Sequence, residues 1–203
     1  MKLIVFGATG NTGVEVLRQG RDRGHTMTAF VRSADKLAGI DGITVTTGDV
    51  LDETQVTTAI RGHDVVLSCL GTRPWRHTDI CSGGTRVIAA AMRAAGVKRL
   101  IVLSTQGIGD STLGALGKVG AAVVLRKAFR DKAVMEDELA TTDLDWIVVR
   151  PGLLTNGKPR GSWRSSIDNT LHGGKIARAD VAAFMLQQLS SDEWLRKRPV
   201  IVY

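Results

Sequence analysis

In "IVFGATGNTG", residues 4 to 13, Gly7, Gly10 and Gly13 stand three apart at the end of an apolar run, with Thr9, Asn11 and Thr12 among them. A strand turning into a helix with this spacing is suited to a dinucleotide pyrophosphate. The first glycine permits the tight turn, the second lets backbone approach the phosphates, and the third lets the helix pack close to the strand. Backbone N–H groups around Asn11 and Thr12 then face phosphate oxygens with the helix dipole in their favour. At the end of the next strand, where an acidic residue would accept the 2′-hydroxyl of NAD, "FVRSADKL" places Arg32 and Lys36. Both can pair with a 2′-phosphate, so NADP(H) is preferred over NAD(H), while Arg32 can also stack on adenine and Asp35 in the same turn weakens that preference.

The elements that position these residues are β-branched runs at 2 to 6, 26 to 31, 43 to 47, 64 to 70, 99 to 104, 145 to 149 and 200 to 203. Helix-patterned segments fall between them, at roughly 12 to 23, 53 to 61, 83 to 95, 112 to 140 and 180 to 190. This alternation predicts an α/β fold of the Rossmann type, a doubly wound, mainly parallel sheet of about seven strands with helices on both faces. Asp52 with Gln55 three later is a capping-box pattern, and Gly96 is a helix stop. The least regular stretch is 155 to 176.

With 203 residues and 43% hydrophobic composition, the chain suits one domain, residues 1 to 203, with a well-buried core. Its substrate pocket is expected from loops at 72–82, 105–118 and 153–176. No apolar run approaches the roughly 18 residues of a membrane span, and no cleavable signal is apparent, so a cytoplasmic protein is expected. Cys69 and Cys81 fit a reducing compartment as small buried thiols, and no ligand spacing for a metal is present. The net charge of +7 is scattered along the chain. It reads as a solvated basic surface or as attraction for an anionic substrate or cofactor, not as a nucleic-acid site. A monomer or weak dimer is expected.

Together with "GATGNTG" and Arg32, the segments "GDVLD" (48 to 52), "LGTR" (70 to 73), "RPG" (150 to 152) and "ARADVAAFML" (177 to 186) resemble an atypical short-chain dehydrogenase/reductase. The likeness is to the NAD(P)H-binding group of biliverdin reductase B/flavin reductase, whose relatives include NmrA-like proteins and a quinone reductase. It runs over nearly the whole chain. The resemblance implies that Asp49 and Val50 lie against adenine, and that Leu70, Gly71, Thr72 and Arg73 line the middle of the cofactor. Pro151, Gly152, Leu153 and Leu154 would border the nicotinamide. Ser104 and Thr105 occupy the place of the hydroxyl residue near nicotinamide and substrate. Successive strand residues face opposite ways, so only one points inward, and spacing from "VKRLIV" favours Thr105.

The resemblance also implies a Tyr-x-x-x-Lys pair in typical members, the tyrosine giving a proton to the carbonyl and the lysine lowering its pKa. The only tyrosine here is Tyr203. Lys132 falls on the helix that normally carries the lysine, and Glu136 one turn on would make an i, i+4 pair with it, which favours a plain surface lysine. Without an acid, reduction of an ordinary ketone is disfavoured. Flavins, quinones and linear tetrapyrroles stabilise the incoming charge internally and need mainly alignment. Trp75 and Trp163 either stack on such a planar acceptor or close the core, and Arg73 or Arg76 would attract its anionic groups. The expected activity is an NADPH-dependent reductase of a conjugated small-molecule acceptor. The alternative is a non-catalytic NAD(P)-binding redox sensor acting through a protein partner. A sugar-nucleotide epimerase is disfavoured by the missing pair and the lack of a larger C-terminal substrate domain.

Overall fold

A computed structural model describes residues 1–37, 39–71, 79–108, 126–168, 170–171 and 173–203. The strands are β1 Lys2–Phe6, β2 Thr26–Val31, β3 Thr44–Thr47, β4 Val65–Ser68, β5 Arg99–Leu103, β6 Asp145–Pro151, β7 Leu153–Thr155, β8 Arg164–Ser166, β9 Lys175–Ala177 and β10 Val200–Val202. The helices are α1 Asn11–Asp22, α2 Glu53–Ile60, α3 Ile80–Ala95, α4 Arg126–Ala140 and α5 Arg178–Gln187. Residues 112–125, which the sequence pattern joins to α4, lie outside the described residues.

The main sheet runs β3-β2-β1-β4-β5-β6-β10-β8, parallel as far as β10, with β8 antiparallel at the edge. This is the Rossmann-type arrangement, with eight strands where the sequence predicts about seven. The eighth is β8, and β7 pairs with β9 in a separate two-stranded ribbon. β8 and β9 fall in the least regular stretch and β7 at its start. Three residues are too few to show an alternation, so these strands carry no periodic signal.

Burial on both faces explains the continuous apolar runs of the central strands. On one face, Val16 and Leu17 of α1 and Val181, Phe184 and Met185 of α5 pack on Leu3, Val5, Leu67 and Ile101. On the other, Val56 and Ile60 of α2, Ile88 and Met92 of α3, and Met135 and Leu139 of α4 cover Ile4, Phe6, Val66, Leu100 and Val148. No helix among the described residues is long and apolar enough to cross a membrane.

Helix ends show which signals are local. Gln55 N–H donates to Asp52 Oδ1 at 2.9 Å, as the capping-box pattern predicts. The Gln55 side chain reaches further back than in a standard box, its Oε1 accepting from Asp49 N–H at 2.9 Å. Gly96 ends α3 with φ 72°, and Val97 N–H bonds back to Met92 O. The start of α3 is different: it begins at Ile80, three residues earlier than predicted. Its Cys81 and Ser82 N–H groups, each at 2.9 Å, are taken by Asp131 of α4. A carboxylate on these otherwise orphaned donors contributes about 1 kcal/mol.

Candidate functional site

β1 and β4 are neighbours in the sheet while β2 lies on the far side of β1, so the chain reverses direction of winding between β1 and β4. Ligands of open α/β sheets bind at that crevice, beyond the C-terminal strand ends. Gly7 opens the turn there with φ 69°, and a Cβ on it would lie 2.4 Å from Cys69 O. Gly10 N–H closes the turn on Gly7 O at 3.0 Å, and the first helical bond is Val14 N–H to Gly10 O at 2.9 Å. The N–H groups of Asn11, Thr12 and Gly13 therefore have no intrahelical acceptor. The first turn of α1 holds no acidic residue, and Gly10 provides no side-chain cap. Gly10 and Asn11 are exposed, Thr9 is half-buried, and Thr12 and Gly13 are buried. A Cβ at Gly13 would sit 2.5 Å from Gly7 O, whereas one at Gly10 meets only that same oxygen at 3.3 Å. Of the three glycines, Gly10 is the one whose missing side chain leaves space on the open side.

At the end of β2, Arg32 and Lys36 are exposed and have no partner among the described residues. Asp35 is engaged by the Ser33 hydroxyl at 2.7 Å, so it pairs with neither cation. Asp49 follows β3, its Oδ1 accepting from Leu51 N–H at 3.0 Å. Val50 is buried, and it borders Gly84 of α3 together with Leu70. Leu70 is half-buried and Gly71 exposed beyond β4. Thr72 and Arg73, with Trp75 and Arg76, lie outside the described residues, as do 109–118 of the second predicted loop.

Beyond the end of β5 the two hydroxyls have different partners. Ser104 is 3% exposed, and its hydroxyl donates to Glu136 Oε1 at 2.5 Å. Thr105 is half-buried, and its hydroxyl donates only to Gln106 O at 3.3 Å. Lys132 of α4 does not pair with Glu136, contrary to the i, i+4 expectation. Its Nζ donates to Leu103 O at 3.0 Å, at the C-terminal end of β5. It also lies near Cys69, where burial pushes the thiol up to about 12 with the Lys132 ammonium opposing. The lysine thus stands at the C-terminal end of the central strand β5.

Glu136 is held instead by Arg150 of β6, from Nε at 3.1 Å and from Nη2 at 2.5 Å. Arg198 adds its Nε at 3.6 Å and donates Nη2–H to the Glu136 carbonyl at 3.1 Å. Sequence reasoning missed this network because its members are far apart in the chain. The cue available was an arginine and a glutamate inside apolar patterns.

Pro151 ends β6 and Gly152 follows it, both buried, Gly152 packing against Gly174 and Val202. Leu153 is 72% exposed and Leu154 is half-buried. Trp163 closes the core, edge-on to Phe184 at 5.9 Å. Tyr203 lies under the Arg160 guanidinium, 4.0 Å from the ring centre. Its hydroxyl donates to buried Asp180 at 2.5 Å and accepts from Ala177 N–H. Burial of the phenol, with the Asp180 carboxylate that accepts from it, raises its pKa above the ordinary range. The one tyrosine is thus a structural clasp between β10, β9 and α5.

A family model described as NAD(P)H-binding matches residues 7–192. The Bacillus subtilis protein YwnB is 27% identical to this chain, the match covering 100% of this chain and 98% of YwnB. ChuY, an anaerobilin reductase from Escherichia coli O157:H7, is 27% identical over 100% of this chain and 97% of its own, with a TM-score of 0.85. A short-chain dehydrogenase/reductase from Veillonella parvula in complex with NADP shares the fold, with a TM-score of 0.83 at 14% identity over 100% and 94% of the two chains.

Proposed function

The chain belongs to the NAD(P)H-binding family, among the atypical short-chain dehydrogenases/reductases, and we propose that it is an NADPH-dependent reductase of a planar conjugated acceptor. The observation that carries this reading is the commitment of Tyr203 to Asp180 and Ala177, which leaves no tyrosine to protonate a nascent alkoxide. Acceptors that disperse the incoming charge, such as flavins, quinones and linear tetrapyrroles, do not need one. The similarity to ChuY supports the same class of acceptor.

A bound nicotinamide cofactor supplies the hydride. The first-turn N–H groups of Asn11, Thr12 and Gly13 would take its pyrophosphate, and Asp49 and Val50 would border the adenine. Leu70 and Gly71, beyond β4, would follow its middle, with Thr72 and Arg73 next in sequence. Lys132 and the Thr105 hydroxyl, at the end of β5, would be the polar groups nearest the reacting ring, the Ser104 hydroxyl being engaged by Glu136. Pro151, Gly152, Leu153 and Leu154, at and beyond the end of β6, would border the nicotinamide. The exposed Leu153 side chain provides an apolar surface on which a flat acceptor loses water.

Purified protein saturated with NADPH is expected to oxidise it in the presence of FMN, riboflavin, menadione or biliverdin. Binding without oxidation above background in all four would overturn the reductase reading in favour of a sensor. Arg32 and Lys36 are assigned to the 2′-phosphate. Arg32→Ala and Lys36→Ala are each expected to raise the KM for NADPH by about tenfold, the value of one charge-assisted hydrogen bond. The KM for NADH should stay within about twofold, since it has no phosphate there. Equal effects on the two cofactors would remove the NADP preference.

A further inference from the structure

Gln106 follows Thr105 in the turn out of β5, and two of the predicted pocket loops and the end of β6 meet on it. Its backbone N–H donates to Pro151 O at 2.9 Å, which ties the turn to the end of β6. Its side-chain Nε2 donates to Leu171 O at 2.6 Å, which ties in the loop between β8 and β9. The residue is 1% exposed, yet its Oε1 has no hydrogen-bond partner. Because Leu171 presents a carbonyl, the amide cannot turn over without setting oxygen against oxygen, so the orphan atom is an acceptor. A buried acceptor without a donor costs about 1–3 kcal/mol, and buried polar atoms are otherwise nearly all paired. The flanking residues Thr105 and Gly107 are only half-buried. The unpaired oxygen thus belongs to the residue that directly follows Thr105, beyond the C-terminal end of β5.

We propose that Gln106 is a specificity residue whose Oε1 accepts a hydrogen bond from a ring N–H of the acceptor. This selects acceptors with an imide, lactam or pyrrole N–H, as in flavins and bilins, over quinones, which present only carbonyl oxygens to the site. The assignment rests on the reductase reading and narrows its substrate class. A polar group built to receive an N–H discriminates strongly against an analogue that lacks it, because the group is then left unpaired.

The test compares lumiflavin with 3-methyllumiflavin, and biliverdin with an N-methylated biliverdin, as acceptors for the wild-type protein and for Gln106→Met. For at least one pair, the wild type is expected to favour the N–H form by about tenfold or more in kcat/KM. The pair that shows it tells a flavin from a bilin. In Gln106→Met, which keeps the side-chain length, that ratio should fall close to one, with thermal unfolding confirming that the variant is folded. Equal wild-type rates within both pairs overturn the proposal and leave the reductase reading intact, and this comparison needs no variant. A ratio that persists in Gln106→Met overturns it as well. So does a rise in the KM for NADPH with every acceptor, which would assign the oxygen to the nicotinamide carboxamide. If nothing is reduced, fluorescence titration of the NADP-loaded protein with the same compounds separates the two readings. Gln106-dependent preference for the N–H form keeps this proposal and removes the reductase, and absence of binding removes both.

Discussion

Gly10→Ala is expected to fold with nearly wild-type stability and to lose cofactor affinity by about ten- to a hundredfold, whereas Gly13→Ala loses both fold stability and affinity. The two glycines differ in what a methyl group would meet. Gly10 has φ −76° and ψ 154°, a conformation that alanine adopts without strain. Its Cβ would approach only Gly7 O, at 3.3 Å, which a small shift relieves. Weaker capping by alanine adds about 1 kcal/mol at most. On the open side, however, the methyl group occupies the space a phosphate needs in order to reach the N–H groups of Asn11 and Thr12. At Gly13 the added carbon would lie 2.5 Å from Gly7 O and 2.8 Å from Ala8 Cα. Both neighbours are backbone and cannot step aside, so α1 must lift from the turn and the cradle opens. Thermal unfolding with calorimetric titration of NADPH measures both quantities. Gly10→Ala binding NADPH as tightly as the parent would show that this turn is not the phosphate cradle.

The features legible in the sequence are those set by residues within one turn or one strand of each other. The parallel strands read directly because burial on both faces leaves runs such as Leu3 to Phe6 and Leu100 to Leu103 without polar interruption. Asp52 and Gln55 are three apart, and Gly96 needs only its own φ. What escaped is tertiary. Asp131 caps α3 from 50 residues away, and the three-residue strands β7, β8 and β9 are ordered by their neighbours. Glu136 shows the limit of local rules most clearly. Helical spacing pairs it with Lys132, but a guanidinium fork from Arg150 fits a carboxylate better than a flexible ammonium does. Lys132 is thereby released to the end of β5. The departure from the local rule is what brings a lysine to the candidate site.

Glu136→Ala is expected to destabilise the fold by about 3–5 kcal/mol, a large share of the roughly 5–15 kcal/mol by which such domains are stable. The Arg150 side chain is 4% exposed and that of Glu136 1%. Removing the carboxylate leaves a desolvated guanidinium without the counter-charge that faces it, and also removes the acceptor of the Ser104 hydroxyl. The second consequence reaches the site, because Ser104 immediately precedes Thr105 and its N–H is tied to Val149 O. The loss is therefore expected in kcat as well as in Tm. Adding Arg150→Met removes the buried charge as well, so the double variant should recover most of the lost stability, as buried ion pairs replaced by apolar groups generally do. It should not recover activity to the same extent, because Ser104 still lacks its partner. Denaturant unfolding of the three proteins, with kcat measured beside it, separates the two effects. If the double variant is as unstable as Glu136→Ala, the buried arginine charge is not what the carboxylate is there to compensate. If it regains stability and turnover together, the Ser104 contact plays no part in holding the end of β5.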